Sequence, residues 1–290
     1  MAGTDVRVPV PGETHQRGRR PAPALRRYVS AYTGYHLEPG PPGVHQGVAS
    51  AHLTFLLCLD GTVDMLANAD RSKPPGSFVA LVGGLHDGPA EIAIGERQTG
   101  LQLRLTWRGA RALLGVPAGE LAGDTVDLAA LLGRRTGTLL DRLASAPDWA
   151  QRFDLLDAEL AALTADERAD DRVRPEIGYA WDRLVRTGGN LRIADLAAEI
   201  GWSRRHLATQ FHAETGLTPK AAARVIRFEL ACDRLRLPDH RPLAEVAADT
   251  GYVDQPHLAR DFRDLAGTTA TTWLRGRLPP DPVPDPDPGE

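Results

Sequence analysis

One segment of the chain occurs twice. The first copy holds Ile193, Leu196, Ala197, Ile200, Gly201, Trp202, Ser203, Arg204, Arg205, His206 and Leu207 and continues to Phe211 and Gly216. The second holds Leu243, Val246, Ala247, Thr250, Gly251, Tyr252, Val253, Asp254, Gln255, Pro256, His257 and Leu258 and continues to Phe262 and Gly267. Aligned on their glycines, the copies agree at apolar positions, with one residue inserted before the second histidine. A match of this length means one structural unit built twice.

Each copy has the sequence physics of two short helices joined by a turn. Apolar residues at helical spacing (Ile193, Leu196, Ala197, Ile200; then Leu243, Val246, Ala247) define a buried stripe, and the two alanines let a second helix cross closely. Gly201 and Gly251 suit the left-handed conformation that ends a helix and reverses the chain. Ser203 and Asp254 follow as side chains able to cap a new helix. Leu207 with Phe211, and Leu258 with Phe262, stand four residues apart and face inward.

The remaining positions of each second helix face outward: Arg204, Arg205, Ala208, Thr209 and His212, then Gln255, Pro256, Ala259, Arg260 and Arg263. A helix laid in the major groove presents its N-terminal side chains to base edges, where Arg and Gln can form paired hydrogen bonds. The bland alternative is the solvated surface of a small helical bundle. Two matched units favour the first reading over the second.

Residues 175–277 resemble the DNA-binding domain of the arabinose-operon (AraC-type) family of transcription regulators. The resemblance rests on Gly251 to Leu258 with Arg260, Phe262 and Gly267, and on Gly201 to Leu207 with Phe211 and Gly216 to Pro219. It implies two helix-turn-helix units joined by a long helix, reading successive major-groove turns. It implies base contacts at Arg205, Ala208, Thr209, Gln255, Pro256 and Arg260; Arg204, His212 and Arg263 are the candidates for phosphate. The sequence departs from the family pattern at Thr209, where Arg is frequent, at Val253, where a small or hydroxyl residue is usual, and at Ala270, where the second unit usually has proline.

The helix between the units restarts at Thr218-Pro219 and carries Val225, Phe228, Ala231 and Leu235 on one stripe as far as Pro238. Some 18 residues span roughly 27 Å, against ~34 Å between successive major-groove faces. Before the first copy, Pro175 opens a helix with Ile177, Trp181, Leu184 and Val185 on one side, ended by Gly188-Gly189.

The 290 residues suffice for two domains, and 42% hydrophobic with 25% charged residues is the balance of a globular protein. No apolar run is long enough to span a bilayer, and the N-terminus lacks the apolar core of a secretory signal, so a cytoplasmic protein without membrane contact is expected. The net charge of -4 argues against indiscriminate coating of nucleic acid. Residues 175–277 hold 15 Lys and Arg against 13 Asp and Glu, a small local surplus of positive charge. Cys58 and Cys232 fall in different domains and are expected to be buried thiols without a disulfide.

The N-terminal half reads as an antiparallel β-fold. Short apolar runs at Tyr28 to His36, His52 to Leu59, Val63 to Ala67, Phe78 to Leu85, Glu91 to Ile94 and Gly100 to Leu105 are separated by Gly- and Pro-rich turns. Gln102 and Arg104 alternate with Leu101, Leu103 and Leu105, a strand with one buried face. Helices follow at Arg108 to Leu114, at Gly119 to Leu121, and from Thr136 to Thr164 with a break at Pro147. Trp149, Phe153, Leu156, Leu160 and Leu163 form a two-heptad seam, read either as packing on the domain's own sheet or as a dimer contact. The stretch from Gly100 to Leu121 resembles the cupin-like sensor half of the same regulator family, with Trp107 where proline is usual.

The expected organisation is therefore α+β. A disordered tail (1–22) precedes a cupin-like sensor or dimerisation domain (23–165). A charged linker (166–174), the all-α DNA-binding domain (175–277) and a second disordered tail (278–290) follow. His36, His45, His52 and His86 lack ligand spacing, so no metal or other cofactor is expected. The leading function is a sequence-specific regulator that binds promoter DNA, with RNA polymerase, an unknown small-molecule effector and a second copy of the chain as further partners. Two alternatives stay open: a cupin-like enzyme tethered to DNA, and a DNA-binding protein whose N-terminal domain only dimerises. No nucleophile paired with a base is legible, which leaves the enzyme without a catalytic set. A closed, mostly apolar cavity in the β domain would mark the sensor version.

Overall fold

The computed structural model describes residues 14–164, 173–237 and 241–275. The tail expectations for residues 1–13 and 278–290 and the linker expectation for residues 166–172 lie outside these described residues. The chain begins with β1 (Thr14–Arg19), a 3-10 turn (Pro23–Leu25), β2 (Val29–Leu37), β3 (Gly43–Gly47), β4 (Leu53–Asp60) and β5 (Val63–Ala67). It continues with β6 (Gly76–Phe78), β7 (Ala80–Gly83), β8 (Ala90–Ile94) and β9 (Gln98–Leu105). Then come α1 (Trp107–Leu114), a 3-10 turn (Ala118–Leu121), β10 (Thr125–Asp127), α2 (Leu128–Leu132), α3 (Arg135–Ser145) and α4 (Trp149–Thr164).

The strands form two antiparallel sheets, one of six strands in the order β1-β2-β9-β4-β7-β10 and one of four in the order β3-β8-β5-β6. Period-two alternation decides what each face of the larger sheet meets. Phe55, Leu57, Leu101, Leu103 and Leu105 are fully buried in the main apolar core, which α1 and α3 reach from that side. The opposite residues, among them Gln102 and Arg104, do not face bulk solvent; they line a cavity beside the smaller sheet.

Two expectations change here. Residues 14–22 are not a disordered tail. β1 pairs with β2 along its length, Arg17 standing opposite Gly34, and Arg19 reaches α4 to pair with Asp154 and Asp157. The strand holds no large apolar residue, so hydrophobic patterning carries no sign of it; backbone pairing at a sheet edge needs none. The α4 seam, for its part, packs on its own domain. Phe153, Leu156 and Leu160 are buried, Phe153 stacks on Tyr32 at 6.0 Å, and the Trp149 ring lies so close over Gly34 that a Cβ there would come within 2.4 Å of it.

The C-terminal domain comprises α5 (Pro175–Arg186), α6 (Ile193–Ile200), α7 (Arg204–Thr215), α8 (Pro219–Arg236), α9 (Leu243–Asp249), α10 (Gln255–Ala266) and α11 (Ala270–Arg275). Ile177, Trp181 and Leu184 of α5 are buried as their spacing implies, whereas Val185 is exposed. Residue 173 is not part of a solvated linker, because the Val173 side chain joins the core. One continuous apolar cluster runs from the β domain into the helices. At the junction Trp107 packs on Trp181 at 6.1 Å, and Trp181 stacks on Phe211 at 5.8 Å.

Polar contacts cross the same junction. Arg111 grips Glu214 with two hydrogen bonds, of 3.0 and 2.7 Å, and the Ala49 N–H donates to the Leu265 carbonyl at 3.0 Å. The turn at Ala118–Leu121 seats against the end of α7 so closely that a Cβ on Gly119 would lie 2.3 Å from the Ala213 carbonyl oxygen.

The β1–α4 contact makes a prediction. Asp157 accepts hydrogen bonds from Arg19, from the Ala22 N–H at 3.0 Å and from the Tyr32 hydroxyl at 2.9 Å, so Asp157→Ala leaves three donors without their acceptor. Urea denaturation should show a loss of about 1–3 kcal/mol. Asp154→Ala, at a side chain 72% exposed, should change stability by less than about 0.5 kcal/mol.

Candidate nucleic-acid interface and ligand cavity

The two helix-turn-helix units superimpose in their chemistry. α6 ends at Gly201, with φ +78°, and Gly251 after α9 has φ +80°, the left-handed geometry that glycine adopts without steric cost. Ser203 caps α7 by accepting from the His206 N–H, and Asp254 caps α10 by accepting from the His257 N–H. An aromatic ring before each cap holds that histidine edge-on, Trp202 with His206 at 4.5 Å and Tyr252 with His257 at 5.0 Å. The matched caps and rings locate the extra residue of the second copy as Val253, which stands 87% exposed between Tyr252 and the cap.

The inner sides are buried as their spacing implies: Leu207 and Phe211 in α7, Leu258 and Phe262 in α10. Arg204, Arg205, Thr209 and His212 are exposed on α7, and Gln255, Pro256, Arg260 and Arg263 are exposed on α10; Ala208 is half-buried. Most arginines of this domain are engaged. Arg183 pairs with Glu199, Arg224 with Asp261, Arg241 with Asp249, and Arg227 donates to the Gly189 carbonyl. Arg204, Arg205, Arg260 and Arg263 make no hydrogen bond or ion pair with the described residues. The Thr209 hydroxyl donates to the Arg205 carbonyl of its own helix at 3.1 Å, turning it away from the exposed face.

Sequence reasoning missed two contributors. Asp261 is nearly fully buried and accepts from Arg224 Nε at 2.7 Å and from the Tyr252 hydroxyl at 3.0 Å, tying α10 to α8 and to its own turn. Its place beside Phe262 in an inward-facing stripe was the only available signal. The other is Glu229, near the middle of α8. It is central to the cavity.

That cavity measures 620 Å³ and lies between the two sheets. Thr33, Tyr35, Thr54, Leu56, Gln102 and Arg104 line it from the large sheet, while Met65, Ile92 and Ile94 do so from the small one. Glu229, Cys232 and Arg236, on one face of α8, and Trp273 of α11 close it from the C-terminal domain. His45, His52 and His86, scattered in sequence, meet at its walls; His36 instead bonds Glu38 and Thr99. Burial of the His45 and His86 rings holds their pKa below the ordinary imidazole value. Among the described residues no group of three or more His, Cys, Asp and Glu side chains is placed to hold a metal ion. Cys58 and Cys232 are both free and buried.

Glu229 fastens α8 to the β domain. Its carboxylate accepts from Ser50 Oγ at 2.9 Å, from the Ala51 N–H at 3.3 Å and from Arg104. His52 Nδ1 lies 3.3 Å from the same carboxylate and 3.0 Å from Arg104, so its tautomer decides which it serves. Burial alone would raise the Glu229 pKa. The facing His52, Arg104 and Ser50 outweigh it and bring the carboxyl down to about 2.

Comparison with known proteins agrees with this architecture. Residues 196–276 match a family model described as a helix-turn-helix domain. No curated protein matches the chain. Among solved structures the chain is similar in fold to ToxT from Vibrio cholerae, with a TM-score of 0.51 and 8% identity over 91% of this chain and 99% of that one. A ToxT structure with a bound unsaturated fatty acid gives a TM-score of 0.50 and 11% identity over 90% of this chain and 94% of that one. Another ToxT structure, bound to (E)-4-(8-methylnaphthalen-1-yl)but-3-enoic acid, gives 0.51 and 9% over 91% and 99%. Residues 196–276 thus form a helix-turn-helix domain of two units on one connecting helix, behind an antiparallel β domain.

The Glu229 contact has a pH signature. Because its folded pKa lies below the ordinary value of 4.5, its contribution to stability is complete above that value and is lost as the pH falls through about 2. The difference in unfolding free energy between the wild type and Glu229→Gln, measured across this range, should shrink as the solution is acidified. A difference that does not change with pH would refute the assignment.

Proposed function

We propose that the chain binds promoter DNA sequence-specifically through α7 and α10 and that a small-molecule effector held in the β-domain cavity regulates this binding. Residues 175–277 carry the DNA interface and residues 23–165 the sensor. Arg205, Gln255 and Arg260 read base edges by hydrogen bonds, with Ala208, Thr209 and Pro256 in contact beside them; Arg204, His212 and Arg263 bind phosphate. The observation that carries the reading is the set of four exposed arginines without a partner among the described residues on the outer faces of two similarly capped helices. Arg183, Arg224, Arg227 and Arg241 of this domain are engaged by carboxylates or carbonyls, whereas these four stay available where a duplex would lie.

The cavity favours a sensor over a domain that only dimerises. It is of ligand size, and α8, the helix that joins the two DNA-reading units, forms part of its wall. A molecule held there touches the connecting helix directly.

Selection of bound fragments from random DNA by the purified full-length chain tests the first half of the proposal, and recovery of no common sequence would reject it. On the selected site, Arg260→Ala should lose about 1–3 kcal/mol of discrimination at one base pair. Arg263→Ala should weaken all sequences alike and reduce the salt dependence by about one counterion. Titrations on a panel of mutated sites at several salt concentrations separate the two outcomes.

A further inference from the structure

The guanidinium groups that line the cavity are already paired. Arg104, on β9, donates to Glu229 of α8, and Ser50 and the Ala51 N–H complete the carboxylate's shell. The other guanidinium groups that line the cavity pair likewise, Arg236 with Asp233 and Arg97 with Glu38. An anion entering the cavity would have to displace a carboxylate that the chain itself holds at high effective concentration. Failing that, it would sit beside Glu229 as a second negative charge away from bulk water, which like-charge repulsion opposes.

Several of the polar groups left unused are neutral. Gln16 lines the cavity, and its buried Oε1 has no hydrogen-bond partner among the described residues. Gln102 and the neutral ring of His45 also face the space, and neither has a hydrogen bond to the described residues. A buried carbonyl oxygen without a donor favours a ligand that brings one. Opposite Gln16 and Gln102, on the sheet that also carries His45, Met65, Ile92 and Ile94 offer an apolar wall.

We infer that the cavity takes an uncharged amphiphile carrying a hydrogen-bond donor, such as a primary amide or an alcohol on an apolar body, and that Glu229 is the residue that turns anionic amphiphiles away. The inference rests on the proposal that the cavity is an effector site. It assigns Glu229 a second task, specificity, besides joining the domains.

Calorimetric titration of the full-length chain with octanamide and with octanoate tests it. The wild type should bind octanamide about tenfold more tightly than octanoate, or better still, because only the acid meets the repulsion of Glu229. In Glu229→Gln, which keeps the size of the side chain and its acceptor oxygen, Arg104 loses its counter-charge and octanoate should gain affinity until the preference narrows or reverses. Arg104→Met should give octanoate no such gain, and Gln16→Leu should weaken octanamide while leaving the far-UV circular dichroism of the chain unchanged. Equal binding of the two ligands by the wild type, or a preference unaltered in Glu229→Gln, would overturn the inference while leaving the cavity an effector site. Failure of both ligands to bind the wild type and every variant would overturn this inference and leave the effector proposal to ligands of other chemistry.

Discussion

The stacking of Trp107, Trp181 and Phe211 is the contact on which the arrangement of the two domains depends. Trp107 opens the first helix after the large sheet, Trp181 lies in the first helix of the C-terminal domain, and Phe211 lies in the first recognition helix. Large aromatic surfaces buried in one contiguous cluster contribute more than any surface ion pair. They make the apolar interior of the β domain and that of the helical domain one cluster. The first recognition helix is therefore supported from behind by the domain that contains the cavity, and its exposed arginines project from a rigid base.

Around that apolar joint the polar contacts confer register. Arg111 with Glu214, and Arg104 with Glu229, are partly buried pairs whose desolvation offsets much of their attraction. Their worth lies in geometry, since each accepts one placement of α7 or α8 against the sheet. Glu229 is the more consequential, because the helix it fixes also sets the separation of the two reading units. The cavity and the connecting helix thus share residues, and only the short turn at residues 216–218 separates that helix from α7.

Much of this was legible in the sequence, for identifiable reasons. The duplicated units, their glycine turns, their caps and their inward stripes follow from local rules, and α5 to α10 appear where those rules place them. The larger apolar strands were equally visible. Strands β1, β3, β6 and β10 were not: they are short or polar, and long-range backbone pairing holds them in place. The alternation in β9 marks its buried face, while its polar face lines a cavity, because periodicity says which residues share a face and nothing about what that face meets. The one-residue insertion was likewise visible without its position; only the matched caps identify Val253. Glu229 left no mark, since its partners at positions 50, 51, 52 and 104 lie more than a hundred residues away.

Gly119 and Gly216 meet where the turn after α1 presses on the end of α7, and a Cβ on Gly216 would come within 2.4 Å of the Ala122 side chain. At the second unit the fit is less tight, since a Cβ on Gly267 would lie 3.1 Å from the Gln46 side chain and 3.2 Å from Pro89. The seam between the halves is thus asymmetric, closed more tightly at one recognition helix than at the other. A single methyl group added at the tighter end would act as a wedge, prising the first reader from its support while the second kept its seat.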